Sequence, residues 1–340
     1  MRVLVVGGSG YLGQFVLKAF SDAYPDTEWV GYTYKSTKLP IPPEDDVHAY
    51  EVDLATGEGA DACIADATKG GESLDLIVNC AAASSPGWCE KNETAATALN
   101  VPSKLLDAMT AASETIGEPL LIHMSTDQVY GGDERRSTED QCPANPVNAY
   151  ARSKLKGEEE VAKRWAKHVI FRPSIITGPQ PPYAPVNRPL FLDFIVDALK
   201  GTKPVGFFVD EWRSPVCAHD IVGHVKIFAD RRDDLPRRRL FNCGGPDRLS
   251  RVDMALKVAA ALGLSGAFSY SHCASVDRGL VSPADISMDS GAILMHSYVV
   301  NRGFARQVDA AYANPPTKAE HVRPWGVDQW PPPPWIADSD

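Results

Sequence analysis

The opening stretch, RVLVVGGSGYLG, limits the fold of this chain more than any other. Residues 2–6 form a short, valine-rich apolar run of the kind that builds a buried parallel strand. Gly7, Gly10 and Gly13 follow at once in a GxxGxxG pattern, ahead of an amphipathic segment carrying Phe15, Val16, Leu17 and Phe20. Glycines between a first strand and its helix allow a tight turn, close backbone approach to a pyrophosphate, and tight helix–strand packing. The free N–H groups and positive dipole end of the helix then suit phosphate. Gly7, Gly10, Tyr11, Leu12 and Gly13 are the expected dinucleotide-binding residues.

The rest of the first half alternates strand and helix. Residues 28–34, 49–54, 74–83, 120–125 and 169–172 read as strands, and residues 95–115 and 150–167 as helices. That alternation predicts an α/β fold with a Rossmann-type, doubly wound parallel sheet. Ligands of such sheets lie at the carboxyl ends of the strands. The loop after the second strand offers Tyr32, Thr33, Tyr34, Lys35, Ser36 and Lys38, with no carboxylate. Lys35 and Ser36 suit the 2′-phosphate of NADP better than the bare ribose of NAD, although NAD stays possible. Asp53 and Leu54 end the third strand facing the adenine. Ala81, Ala82 and Ala83 end the fourth, small enough for a ring or ribose to lie on the backbone; plain close packing explains them equally well.

Chemistry enters between residues 125 and 154, which begin STDQVYGG and close with YARSK. Tyr150 and Lys154 are four residues apart, so a helix stacks them on one face. A free tyrosine titrates near about 10, and a neighbouring ammonium is expected to lower that value and tune the phenol as a general acid/base. Thr126, or Ser125 beside it, is placed to share a substrate oxygen with the phenol. On its own, YxxxK also occurs on solvated helix faces; the glycine turn gives it weight.

Beyond residue 173 a proline-rich loop leaves the sheet. The pieces that follow, including helices at 190–200, 220–230 and 250–262 and a strand at 240–243, predict a smaller lobe that caps the sheet and binds substrate between the lobes. The expected division is a cofactor-binding domain over 1–173 (with later strands free to join the sheet), a substrate lobe over 174–312 and a tail over 313–340. The tail holds seven prolines, with Trp325, Trp330 and Trp335 five residues apart. Proline at that density blocks helix and central strand, and the tryptophans predict docking onto the chain's own second lobe or a partner protein.

A net charge of −10 argues against nucleic acid and anionic membrane as partners. Seven cysteines without CxxC spacing predict a reducing compartment and no zinc site. With a strand at the start and no membrane-length apolar run, a cytoplasmic protein is expected. Oligomeric state is open.

The chain resembles the extended short-chain dehydrogenase/reductases, most closely the dTDP-4-dehydrorhamnose reductase group, which includes the beta subunit of methionine adenosyltransferase. GGSGYLG, VNCAA, STDQVY, NAYARSKLKGE, FRPSIITGP, RSPVCAHDIV and RGLVSPADISMD carry the likeness over residues 1–295. It implies a catalytic set of Thr126, Tyr150 and Lys154, with Tyr150 giving the proton as hydride arrives and Lys154 on the nicotinamide ribose. It further implies Asn100, Ser125 and Pro173 at the cofactor, and Ser84, Asp127, Gln128 and Arg213 toward the substrate, Arg213 being matched to an arginine that meets a diphosphate. As it stands, Arg213 reads equally as a surface salt bridge. Gln128 stands where rhamnose-pathway reductases carry tyrosine. The expected activity is NADP-dependent reduction of a keto group on a nucleotide-sugar-like or other polar small molecule. The alternatives are a cofactor-binding regulatory or scaffold subunit without turnover, and a nucleotide-sugar epimerase or dehydratase.

Overall fold

A computed structural model describes residues 1–22, 27–201, 205–264 and 268–312. Its centre is a seven-stranded, wholly parallel sheet. The strands are β1 (Arg2–Val6), β2 (Trp29–Tyr34), β3 (Val47–Glu51), β4 (Leu76–Asn79), β5 (Leu120–Met124), β6 (His168–Pro173) and β7 (Leu240–Cys243), in the spatial order β7-β6-β5-β4-β1-β2-β3. The order reverses between β1 and β4, which opens a crevice at their carboxyl ends. Register brings Val6 beside Asn79 and Tyr34 beside Glu51, so the loops that follow meet in pairs.

The apolar alternation of each strand sends side chains to opposite faces. Val3, Val5, Ile122, Phe171 and Phe241 face α1 (Tyr11–Ser21) and a later helix, Ala218–Asp230, which packs beside α1. Leu4, Val6, Ile77, Leu121 and Ile170 face α2 (Ala60–Ala67) and further helices of the first half. After α3 (Pro86–Lys91), which packs on its neighbours instead of the sheet, those are α4 (Glu93–Asn100), α5 (Ser103–Ala111) and α6 (Ala149–Arg164). The single helix expected over 95–115 is in fact two. Pro102 has no N–H to donate and crowds the preceding turn, so α4 stops at Asn100 and α5 starts at Ser103.

The lobe has its own core of Leu192, Ile195, Leu199, Phe207, Met254, Val258, Phe304 and Val308. Of α7 (Phe191–Lys200), α8 (the Ala218–Asp230 helix), α9 (Arg251–Leu262), α10 (Gly291–Ser297) and α11 (Phe304–Tyr312), α7, α9 and α11 build it, while α8 and α10 pack on the sheet. Three two-stranded pieces complete it: Ile176–Thr177 with Val216–Cys217, Trp212–Arg213 with Leu249–Ser250, and Gly206–Phe208 with Ser269–Ser271. The strand at 240–243, read in sequence among the pieces of the lobe, pairs with β6 as the seventh strand of the main sheet. Residues 313–340, with the expected docking tryptophans, lie outside the described residues. Among the described residues no helix is long and apolar enough to cross a membrane.

Candidate active site

The glycine turn leaves no room for side chains. Gly7 has φ +73°, and a Cβ there would lie 2.7 Å from the Ala81 Cα. A Cβ on Gly13 would lie 2.3 Å from the Gly7 carbonyl oxygen, and one on Gly8 2.5 Å from the Tyr32 Cβ. Gly8 is a requirement that the GxxGxxG pattern missed. Thr33 braces the turn: its Oγ1 accepts from Gly7 N at 2.9 Å and its carbonyl from Gly8 N at 3.0 Å. Gly10 is the N-cap of α1 and brings no capping side chain, so the first N–H groups of the helix have no partner from the cap. Leu12 is buried, and the Tyr11 hydroxyl donates to the Pro179 carbonyl at 3.0 Å, tying the turn to the loop that enters the lobe.

At the ends of β2 and β3 two expected residues meet. Lys35 Nζ lies 2.6 Å from Asp53 Oδ2, a hydrogen bond that raises the lysine pKa and lowers that of the aspartate. Asp53 also accepts from Ala55 N at 2.9 Å. Lys35, Ser36 and Lys38 are exposed, while Leu54 is buried.

Beyond β4, Ala81 to Ala83 are held by side-chain amides. Asn79 Oδ1 accepts from Ala81 N at 3.1 Å. Asn100 Oδ1 accepts from Ala83 N at 2.7 Å, and its Nδ2 donates to Ala83 O at 3.2 Å and Ser153 Oγ at 2.8 Å. Asn100 therefore fastens the β4 loop to α6, one residue before Lys154. Its side chain is spent on protein groups.

The catalytic candidates converge at the carboxyl end of β5. Asn148 caps α6 by accepting from Ala151 N at 3.0 Å, which puts Tyr150 in the first turn and Lys154 one turn on. Tyr150 is 8% exposed, with Thr126 beside its phenol. Burial pushes the phenol up to about 12, against smaller pulls from the Thr126 hydroxyl and the Arg188 charge. The lowering expected from Lys154 is not found: desolvation dominates, and the cation that acts on the phenol is Arg188. Lys154 Nζ instead donates to the Met124 carbonyl at 2.5 Å, and burial takes the ammonium down to about 8. Ser125 drops out as the rival hydroxyl, because its Oγ donates to Glu158 at 2.5 Å. Pro173 ends β6, buried opposite Cys243.

The substrate-side candidates separate. Asp127 is buried beside Thr126, accepting from Thr126 Oγ1 at 3.1 Å and Ser174 Oγ at 2.7 Å. Burial raises its pKa while Arg213 and Arg251 oppose. Gln128 Oε1 accepts from the Asn148 amide at 3.2 Å, which fixes Gln128 to the cap of α6. Arg213 is no surface ion pair: it is 2% exposed and donates to Glu211, Ser282 and the carbonyls of Trp212 and Ala284. Glu211 also takes Arg251 and Arg278, each at 2.7 Å, and is held at about 2. The Ser84 carbonyl accepts from Arg188 Nη1 at 3.1 Å across the crevice. Sequence reasoning missed Arg188, Glu158 and Glu211. Glu158 lies four residues after Lys154 and was readable as the next position on that helix face; the other two had no such signal.

This geometry joins a phosphate-sized glycine turn to a buried phenol, hydroxyl and ammonium, a set suited to binding a dinucleotide and moving a proton. The chain is 27% identical over 291 residues to methionine adenosyltransferase 2 subunit beta of Mus musculus, covering 85% of this chain and 80% of the relative. It is 26% identical over 292 residues to the "Probable low-salt glycan biosynthesis reductase Agl14" of Haloferax volcanii, covering 85% of this chain and 90% of the relative. The dTDP-4-dehydrorhamnose reductase of Bacillus anthracis, solved in complex with NADP, superposes with a TM-score of 0.71 at 16% identity, covering 91% of this chain and 97% of that one. With the family model described as "RmlD substrate binding domain" matching residues 1–316, the chain belongs to that family.

Proposed function

We propose that this chain is an NADP-dependent reductase of a keto group on a polar small molecule of the nucleotide-sugar type. The observation that carries the reading is the Tyr150 phenol, kept protonated by burial beside the Thr126 hydroxyl. The glycine turn fits the cofactor, since side chains at Gly7 or Gly13 would collide with backbone. In this reading Lys35 and Ser36 hold the 2′-phosphate, Asp53 and Leu54 the adenine, and Ala81 to Ala83 with Pro173 the nicotinamide half. When bound, the nicotinamide supplies a hydride. Tyr150 gives its proton to the carbonyl oxygen as negative charge develops there, and the Thr126 hydroxyl turns from Asp127 to donate to the same oxygen. Lys154 orients the ribose. Ser84, Asp127 and Gln128 line the substrate side. Arg213, its donors already taken, braces that wall, and the exposed Arg188 is the cation we assign to the substrate. The cofactor half is assigned to 1–173 and the substrate lobe to 174–312, in a cytoplasmic protein.

One observation favours a second reading, a cofactor-binding regulatory subunit without turnover: the mouse relative is itself named as a subunit. Fluorescence titration with NADPH and NADH, on the chain and on Tyr150→Phe, separates the readings when followed by a panel of keto-sugar nucleotides. Tight NADPH binding with turnover lost in Tyr150→Phe supports the reductase. Binding without turnover on any member of the panel favours the subunit, and no binding of either cofactor defeats both.

A further inference from the structure

Behind Tyr150 lies a buried carboxylate that the proposed reaction does not touch. Glu158 follows Lys154 by one turn of α6, and its side chain is 7% exposed. It accepts from Ser125 Oγ at 2.5 Å, from Arg172 Nε at 2.9 Å and from Arg172 Nη2 at 2.6 Å. Arg172, on β6, is fixed in turn: its guanidinium lies over the Tyr130 ring at 5.0 Å and donates Nη1 to the Tyr130 hydroxyl at 3.0 Å. That hydroxyl donates to Asn242 Oδ1 at 2.8 Å on β7. Glu158 is therefore held by three hydrogen bonds from Ser125 and Arg172, and through Arg172 and Tyr130 it links the residue after β5 to the far edge of the sheet.

The groups that face Lys154 are few. Glu158 lies on its own helix, Cys80 at the end of β4 and His123 on β5, with Arg172 on the far side of Glu158. Burial pushes the Cys80 thiol up to about 12 and holds the His123 imidazole well below its usual range, so both are neutral near pH 7. Glu158 is the one anion among them. A buried ammonium without a counter-charge gives up its proton readily.

We propose that Glu158 is the positioning residue of this site: anchored by Arg172, it keeps Lys154 an ammonium and fixes Ser125 at the end of β5. Burial, opposed by Glu158 and Cys80, sets Lys154 at about 8, close to working pH, so the counter-charge decides its state. A nearby opposite charge moves a pKa by about 1–3, which leaves the lysine at least about half neutral at pH 7 once Glu158 is gone. Only the consequence for a bound cofactor rests on the reductase reading; the charge of Lys154 does not.

The test is a ¹⁵N NMR titration of Lys154 Nζ in the cofactor-free chain, the signal being assigned with Lys154→Met. In Glu158→Gln the midpoint should fall by about 1–3 pH units, while Ser125→Ala, which removes a donor but no charge, should leave it in place. A Glu158→Gln midpoint equal to that of the parent overturns the proposal, even where thermal stability has dropped. Because Glu158→Gln strands Arg172 in the core, Glu158→Gln/Arg172→Met serves as a second variant without either charge. Its midpoint should also fall, by less, and an unchanged or raised midpoint overturns the proposal. NADPH is the second probe. Its affinity for Glu158→Gln should follow the charged fraction of Lys154 at neutral pH, about twofold weaker for a midpoint lower by about one unit and about tenfold weaker for about two, and should recover as pH is lowered. Packing damage alone would not be repaired by acid. If NADPH binds no form of the chain, the reductase reading fails while the Lys154 titration still decides the charge argument.

Discussion

Within GGSGYLG, Gly7 and Gly10 should fail in different ways. An alanine at Gly7 keeps φ at +73° and puts its Cβ 2.7 Å from the Ala81 backbone. Backbone strain costs about 1–3 kcal/mol, and overpacking against a backbone that cannot rotate away adds about 1–3 kcal/mol. Gly7→Ala should therefore lose about 2–6 kcal/mol, or about 4–12 °C in Tm at roughly 2 °C per kcal/mol for a chain of this size. Gly10→Ala is the contrast. Gly10 has φ −75°, and its added Cβ would meet nothing nearer than the Gly7 carbonyl oxygen at 3.3 Å. The stability cost there is about 1 kcal/mol or less, mainly the loss of a favoured N-cap residue. In the proposed reading a pyrophosphate approaches the open side of Gly10, so NADPH affinity should fall in this variant although the fold is kept. Differential scanning calorimetry with fluorescence titration of both variants checks the pair. A Gly7→Ala chain as stable as the parent, or a Gly10→Ala chain that melts earlier than Gly7→Ala, would refute the reasoning.

Asn100→Ala removes a buried amide that makes three hydrogen bonds to Ala83 and Ser153; about 2–4 kcal/mol should be lost, with faster amide exchange at Ala83. The Cys63 thiol is pushed up to about 12 by burial. A folded-state value above the unfolded one means stability that is full below about pH 9 and lost as pH rises toward 12. The share lost by pH 10 is about 1–1.5 kcal/mol, so urea midpoints measured at pH 8 and pH 10 should differ less in Cys63→Ala than in the parent. Deleting residues 314–340 should lower thermal stability or remove a pull-down partner; a chain unchanged in both would end the docking expectation for the tail.

The first half of the fold was readable because the glycine turn, the apolar strand runs and the YxxxK spacing are all local signals. The Pro102 break was present in the sequence as well, since proline disfavours helical backbone at the residue before it, Val101, and α4 stops at Asn100. Other features depend on which strands become neighbours, which no local pattern states. LFNC is apolar enough for any buried strand, and only its pairing with β6 puts it in the main sheet. Lys35 and Asp53 meet because β2 and β3 are adjacent with Tyr34 opposite Glu51. The partner of Arg213 is two residues away, yet its burial follows from the pairing of Trp212–Arg213 with Leu249–Ser250, which also delivers Arg251 to Glu211. The pKa of Tyr150 was misjudged for a related reason. Spacing shows which charge is near, whereas burial, which sets the larger effect, belongs to the tertiary structure.

The account turns on whether Tyr150 completes a hydride transfer. The most direct measurement is mass spectrometry of deuterium passed from NADPH deuterated at C4 to a keto-sugar nucleotide, comparing the parent chain with Tyr150→Phe. The account predicts one deuterium per product from a single face of the nicotinamide, and a rate at least about a hundredfold lower in Tyr150→Phe, the typical share of a general acid. Equal transfer by the two chains, or none by a parent chain that binds NADPH tightly, would contradict it.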